Sequence, residues 1–145
     1  MIYKRTVYLG LGSNLRCNSF QNTESLFNSV IYRLNLTGLR VVKVSNNWIS
    51  SAIPFTAGPL FLNKVIKCVV MSREILAPKE LFYKLCLIEK VIGKKKLFKN
   101  SARLIDLDIL DYGGLIITDE IILPHPRMHE RKFVLNPLET IDKNL

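Results

Sequence analysis

Apolar residues alternate with other residues at Val7, Leu9 and Leu11 in TVYLGLGSN, and the stretch ends in a Gly-Ser-Asn turn, which predicts a first β-strand. The period then changes. In NTESLFNSVIYRLNL, Leu26, Phe27, Val30, Ile31 and Leu34 fall on one helical stripe behind the polar cap candidates Asn22 and Thr23. LRVVKVSNNWISSAI and NKVIKCVVMSREI are rich in β-branched residues and predict two successive strands, with PFTAGPLFL, punctuated by two prolines and a glycine, as the loop between them. Pro78 at a first helical position opens PKELFYKLCLIEKVIG, whose stripe is Leu81, Leu85, Ile88 and Ile92 and whose Gly93 stands where a C-terminal cap belongs. LIDLDILDYGG returns to period two and closes on a Gly-Gly turn, followed by a short LIIT and a tail punctuated by prolines.

The order β-α-β-β-α-β is the ferredoxin-like arrangement, an α+β fold with an antiparallel sheet, both helices on one face and additions at the C-terminal end. Such a sheet leaves its other face, or an edge, for a ligand. The irregular stretches at about 50–63 and 93–103 exceed the usual connection length, and long loops in a small domain are more often functional than idle.

A chain of 145 residues suits a single domain over 1–145, and 48% hydrophobic against 23% charged residues argues against disorder. Cys17, Cys68 and Cys86 are odd in number and have no CxxC spacing, which fits a reducing compartment better than disulfides or a zinc site; Cys68 and Cys86 are expected in the core, as is Trp48. The apolar run after Lys4 and Arg5 is too short for a signal peptide, and no stretch approaches the ~18 apolar residues of a membrane span, so the expectation is a cytoplasmic protein with no membrane partner.

The net charge of +9 predicts attraction to polyanions. It is concentrated at Lys84, Lys90, Lys94, Lys95, Lys96, Lys99 and Arg103, with a second cluster at Arg127, Arg131 and Lys132. Directly after the first cluster comes RLIDLDIL. In a strand, Asp106 and Asp108 leave from one face and Ile105, Leu107 and Ile109 from the other. Two hard carboxylates suit magnesium that keeps its waters and completes its shell with phosphate oxygens. A bare D-x-D is explained as readily by a solvent-exposed face. The adjoining cations favour a phosphate site, where bases hold oxygens and acids hold metal. A nucleic-acid platform would use the lysines and be weakened by the acids.

His125 and His129 lie four apart, but Pro124 and Pro126 preclude regular helix around His125 and there is no HExxH, so an imidazole donating to phosphate beside Arg127 and Arg131 is more economical than zinc; a turn-capping role is the alternative. Phe55, Phe61, Asn63 and Phe133 offer stacking faces and one amide, as a flat heterocycle requires, although core packing explains each aromatic singly.

LGSN after the first strand, FLN opening the third, RLIDLDILDYG and LPHPRMHERKFVLNPL together resemble the 6-hydroxymethyl-7,8-dihydropterin pyrophosphokinases of folate biosynthesis, in order and over nearly the whole chain. The resemblance implies a monomeric enzyme that transfers the β,γ-pyrophosphoryl group of ATP to the hydroxymethyl oxygen of 6-hydroxymethyl-7,8-dihydropterin and releases AMP. It implies two Mg2+ ions on Asp106 and Asp108, with Arg103 and Lys94 joining those aspartates in catalysis. ATP contacts fall on Lys94, Lys96, Arg103, Ile109, His125 and Arg131. Pterin contacts fall on Asn14, Pro54, Phe55, Phe61, Asn63 and Phe133, with Gly12 and Asn14 shaping the floor of that pocket.

The chain departs from the family pattern in three places. LFKNSAR replaces a loop bearing a tryptophan, leaving Phe98 as the candidate for closure; Lys94 replaces an arginine, so a point charge stands where a bidentate fork is usual; and the loop around 56–61 is short. These bear on affinity and rate rather than on identity. The rival readings are a ferredoxin-like nucleic-acid or ligand-binding module, and a family member that binds without chemistry.

Overall fold

The central strand, β1 (Thr6–Asn14), is the one read from the alternation at Val7, Leu9 and Leu11. A computed structural model describes residues 5–14, 20–51, 60–71, 77–92, 105–118 and 121–125. Around β1 stand α1 (Phe20–Leu34), β2 (Leu39–Val44), β3 (Trp48–Ser51), β4 (Leu60–Val70), α2 (Pro78–Ile92), β5 (Asp106–Tyr112), β6 (Ile117–Thr118) and β7 (Ile122–Leu123). The main sheet runs β2-β4-β1-β5 with every neighbour antiparallel, and β3 pairs with the other end of the long β4. This is the expected split arrangement with both helices contributing to one core, and β6 and β7 form a small hairpin beyond it.

The core lies between the sheet and the helices. Val7, Leu9 and Leu11 of β1, Leu62, Ile66 and Cys68 of β4, and Leu107 and Ile109 of β5 meet Phe27, Val30 and Leu34 of α1 and Leu81, Leu85 and Ile88 of α2. A second buried group, Tyr8, Val65 and Leu110, lies outside that cluster. β5 bulges where Leu9 pairs with Ile109 and Tyr8 with Asp111, which returns Tyr112 to the core; the extra residue is Leu110, on the far face by the same alternation as Asp106 and Asp108. The Leu110 side chain lies over Gly10, whose missing Cβ would sit 3.4 Å from the Leu110 Cδ2.

Five expectations need correction. The helix α1 begins at Phe20, so Asn22 and Thr23 lie within its first turn, with Thr23 fully buried, and neither caps it. The second strand is two strands, because Ser45 breaks it: its hydroxyl accepts from the Val65 N–H at 2.8 Å while its own N–H donates to the Val65 carbonyl at 2.9 Å, replacing a ladder step with a side chain. The supposed loop 50–63 is partly strand, since Ser50 and Ser51 close β3 and β4 begins at Leu60. Trp48 is half-buried in β3 rather than part of the core, and Cys86 is likewise half-buried, whereas Cys68 is fully buried. The Gly-Gly turn is as expected, with Gly113 and Gly114 at φ 57 and 75, values open to glycine. Cys17, Gly93 and Phe98 lie outside the described residues, as do residues 93–104.

Candidate active site

Asp106 and Asp108 leave β5 on the face opposite Ile105, Leu107 and Ile109, which are all buried. Asp106 is half-buried and Asp108 exposed. Across the ladder the acids face glycine at both positions, Gly12 opposite Asp106 and Gly10 opposite Asp108. No side chain of β1 stands opposite the carboxylates, although the Leu110 side chain lies over Gly10 and the Asn63 amide over Gly12. Two residues along a strand are about 7 Å apart, where like charges repel by about 2 kcal/mol at an effective dielectric of 20 and about 0.6 in water. The fold tolerates that repulsion, and a cation arriving between the two is attracted by both.

The same row continues across the sheet. Gly12 pairs with Asp106 on one side and with Asn63 on the other, and Asn63 in turn pairs with Trp48. Asn63 is 8% exposed, and its Nδ2 donates to the Trp48 carbonyl at 3.2 Å and to that of Phe61 at 3.4 Å. Those bonds fix the amide so that Oδ1 lies over Gly12, 3.4 Å from where a Cβ would be. Phe61, two residues earlier in β4 and half-buried, shares this face and is paired with Asn14. The helix-free face therefore holds two acids at one end and an amide with an aromatic ring at the other, separated by a glycine.

His125 reaches β5 from the tail. Its N–H donates to the Leu110 carbonyl at 2.8 Å, two residues beyond Asp108. That backbone bond holds the main chain of His125 against the strand that carries the acids, and the residue is half-buried. Ile109 turns the other way: it is 6% exposed within the core, so contact with a nucleotide would have to come through its main chain. Lys94, Lys96, Arg103, Arg131, Pro54, Phe55 and Phe133 lie outside the described residues.

Sequence reasoning missed Glu89. It is 6% exposed, and its Oε1 accepts the Leu107 N–H at 2.9 Å, directly between the two aspartates. The signal was its place on the buried stripe of α2, four residues after Leu85 and three before Ile92.

Residues 8–143 match the family described as 7,8-dihydro-6-hydroxymethylpterin-pyrophosphokinase. The chain belongs to this family. It is 36% identical over 141 residues to a 2-amino-4-hydroxy-6-hydroxymethyldihydropteridine pyrophosphokinase of Aquifex aeolicus, covering 97% of this chain and 82% of that protein. The Haemophilus influenzae protein of the same name is 34% identical over 141 residues, covering 97% of this chain and 83% of its own length. The folic acid synthesis protein fol1 of Pneumocystis carinii is 39% identical over 145 residues, 99% of this chain but 18% of that longer protein. The chain thus spans most of the single pyrophosphokinases it matches but only 18% to 26% of the longer folate-synthesis proteins. For such a pyrophosphokinase the two ends of the helix-free face are chemically suited to a charged phosphate chain and a flat heterocycle.

Proposed function

We propose that this chain transfers pyrophosphate from ATP to 6-hydroxymethyl-7,8-dihydropterin on its helix-free face, with the triphosphate over Asp106 and Asp108 and the pterin over Asn63 and Phe61. The observation that carries this is the continuous row Asp106, Gly12, Asn63, in which a residue without a side chain lets the substrates approach each other. Asp106 and Asp108 would hold magnesium, two ions by the family resemblance; the donor set, two hard carboxylates on one face of β5, one half-buried and one exposed, fits an ion that keeps waters and takes phosphate oxygens. Bound there, the metal supplies charge neutralisation on the phosphates and polarisation of the attacking hydroxyl. The chain's own residues do the positioning. Asn63 presents an amide already turned toward the pterin end, and Phe61 offers a stacking face; by the family resemblance Phe133, Asn14 and backbone groups near Pro54 and Phe55 would join them. His125, Lys94, Lys96, Arg103 and Arg131 would hold phosphate oxygens in line, His125 from the end of β5. The main chain at Ile109 would meet the adenine end.

A monomer of one domain in the cytoplasm is the form proposed for the enzyme. The monomer and the single domain rest on the family resemblance, and the free thiols Cys68 and Cys86 support a reducing compartment. The test is phosphorus NMR of ATP, magnesium and 6-hydroxymethyl-7,8-dihydropterin with the protein. AMP and a pterin diphosphate should appear together; ADP in their place overturns pyrophosphoryl transfer, and no turnover with retained pterin binding favours a binding protein.

A further inference from the structure

We propose that Glu89 is a positioning residue for the aspartate pair, an inference that rests on the reading of Asp106 and Asp108 as the metal-holding groups. The inward face of α2 is otherwise apolar, with Leu81, Leu85 and Ile88 at 0%, 1% and 6% exposure. A carboxylate in that row, 6% exposed, costs desolvation that a leucine would not. It is offset by a specific partner: the Leu107 N–H, which donates to Oε1 at 2.9 Å in a buried, charge-assisted bond.

The place of that bond gives it a function. β5 is the outermost strand on its side of the main sheet, so on its outer edge it lacks a strand neighbour in that sheet to satisfy and align its peptide groups. Glu89 substitutes for one at a single peptide, and that peptide joins Asp106 to Leu107, the residue followed directly by Asp108. Fixing this N–H fixes the pleat between the two acids, and with it the spacing and direction of both carboxylates. The arrangement is one shell removed from the metal, where such supports hold ligand geometry and their loss weakens metal binding about 10- to 100-fold. Glu89 also lies in the last turn of α2, just ahead of the basic segment that begins at Lys94, so one hydrogen bond couples the helix leading into the phosphate-binding lysines to the strand that bears the acids.

Two substitutions separate reach from charge. Glu89→Gln keeps an acceptor oxygen at the same reach and loses the charge, whereas Glu89→Asp keeps the charge and withdraws it by one methylene. Manganese binding, read by electron paramagnetic resonance with a non-hydrolysable ATP analogue, and exchange of the Leu107 amide proton are measured together with the thermal midpoint. The expected pattern is about 10-fold weaker manganese binding and faster Leu107 exchange in E89D, with E89Q within about threefold of the parent. Any other pattern overturns the proposal: both variants like the parent means no positioning, and loss in E89Q with retention in E89D means that charge rather than reach matters. Asp108→Asn is run alongside. If it leaves manganese binding intact, the metal reading itself fails; if it abolishes binding while E89D does not weaken it, the failure belongs to Glu89 alone.

Discussion

Asn63 and Gly12 face each other across β4 and β1, and the Asn63 Oδ1 occupies the space in which a side chain at position 12 would begin. An alanine Cβ at 3.4 Å from that oxygen is at the tight end of ordinary contact, so it should be accommodated by a shift of a few tenths of an ångström. The branched methyls of valine reach further and would turn the amide. We therefore expect Gly12→Ala to leave the pterin KM within about threefold of the parent and Gly12→Val to raise it about 10-fold, roughly 1.4 kcal/mol, with the ATP KM little changed. Steady-state kinetics with each substrate varied checks this, and a rise in the ATP KM alone would remove Gly12 from the pterin end.

Asn63 holds its pose through two backbone carbonyls, so its replacement has a structural as well as a functional effect. Asn63→Ala frees the Trp48 and Phe61 carbonyls on a largely buried surface and should destabilise the fold by about 1–3 kcal/mol, read from denaturant unfolding. Asn63→Asp retains volume but removes both donors and adds charge, and should abolish detectable pterin binding by calorimetry while the protein still folds. Undiminished pterin binding in the aspartate variant would take the amide out of the site.

Asp106→Asn and Asp108→Asn test the other end of the row. Each removes one of two like charges from neighbouring positions, so the unfolding midpoint should hold or rise slightly. Turnover, measured as AMP release, should fall on the order of a hundredfold or more, with the residual rate shifted to higher magnesium concentration. A variant that unfolds more readily but turns over normally would make these acids structural. Opposite movement of stability and rate is what distinguishes a site from a scaffold.

Much of this was legible in the sequence because β1 and β5 obey a period of two through the functional row. Val7, Leu9 and Leu11 and then Ile105, Leu107 and Ile109 go to the core, which sends Gly10, Gly12, Asp106 and Asp108 to the other face. The pattern fails where a tertiary bond takes over from the period. The Ser45 hydroxyl ends β2 by bonding to Val65, a partner 20 residues away, and nothing local in SNN announces it. Tyr112, six residues after Asp106, reads by period two as a far-face residue, yet the bulge at Leu110 returns it to the core. Glu89 falls on the buried stripe of α2, but nothing local shows that the edge of β5 comes to meet it. His125 was singled out for its chemistry, but its bond to the Leu110 carbonyl is a long-range contact that no spacing encodes.

Cys68 makes alkaline stability a test of the packing behind the sheet. Its thiol is fully buried in the core cluster, and burial pushes its pKa from 9.0 up to about 12. Above about pH 9 the unfolded chain sheds this proton while the folded chain keeps it, so the native state binds more protons and stability falls as pH rises. The contribution is complete below pH 9 and declines toward pH 12, by at most about 1.4 kcal/mol per pH unit from this group. Tyr112 adds to the same trend from its ordinary value of 10.0 upward: burial raises its pKa, opposed by the nearby Arg5, whose guanidinium lies 6.0 Å from the ring centre, and assisted by Glu80. Guanidinium unfolding of the parent and of Cys68→Ala between pH 8 and 10.5 should therefore give curves whose difference narrows above pH 9, because the alanine variant lacks the thiol's share of the decline. A constant difference across that range would mean that the thiol meets water in the native state, and that the contact between β4 and the helices is looser than its burial implies.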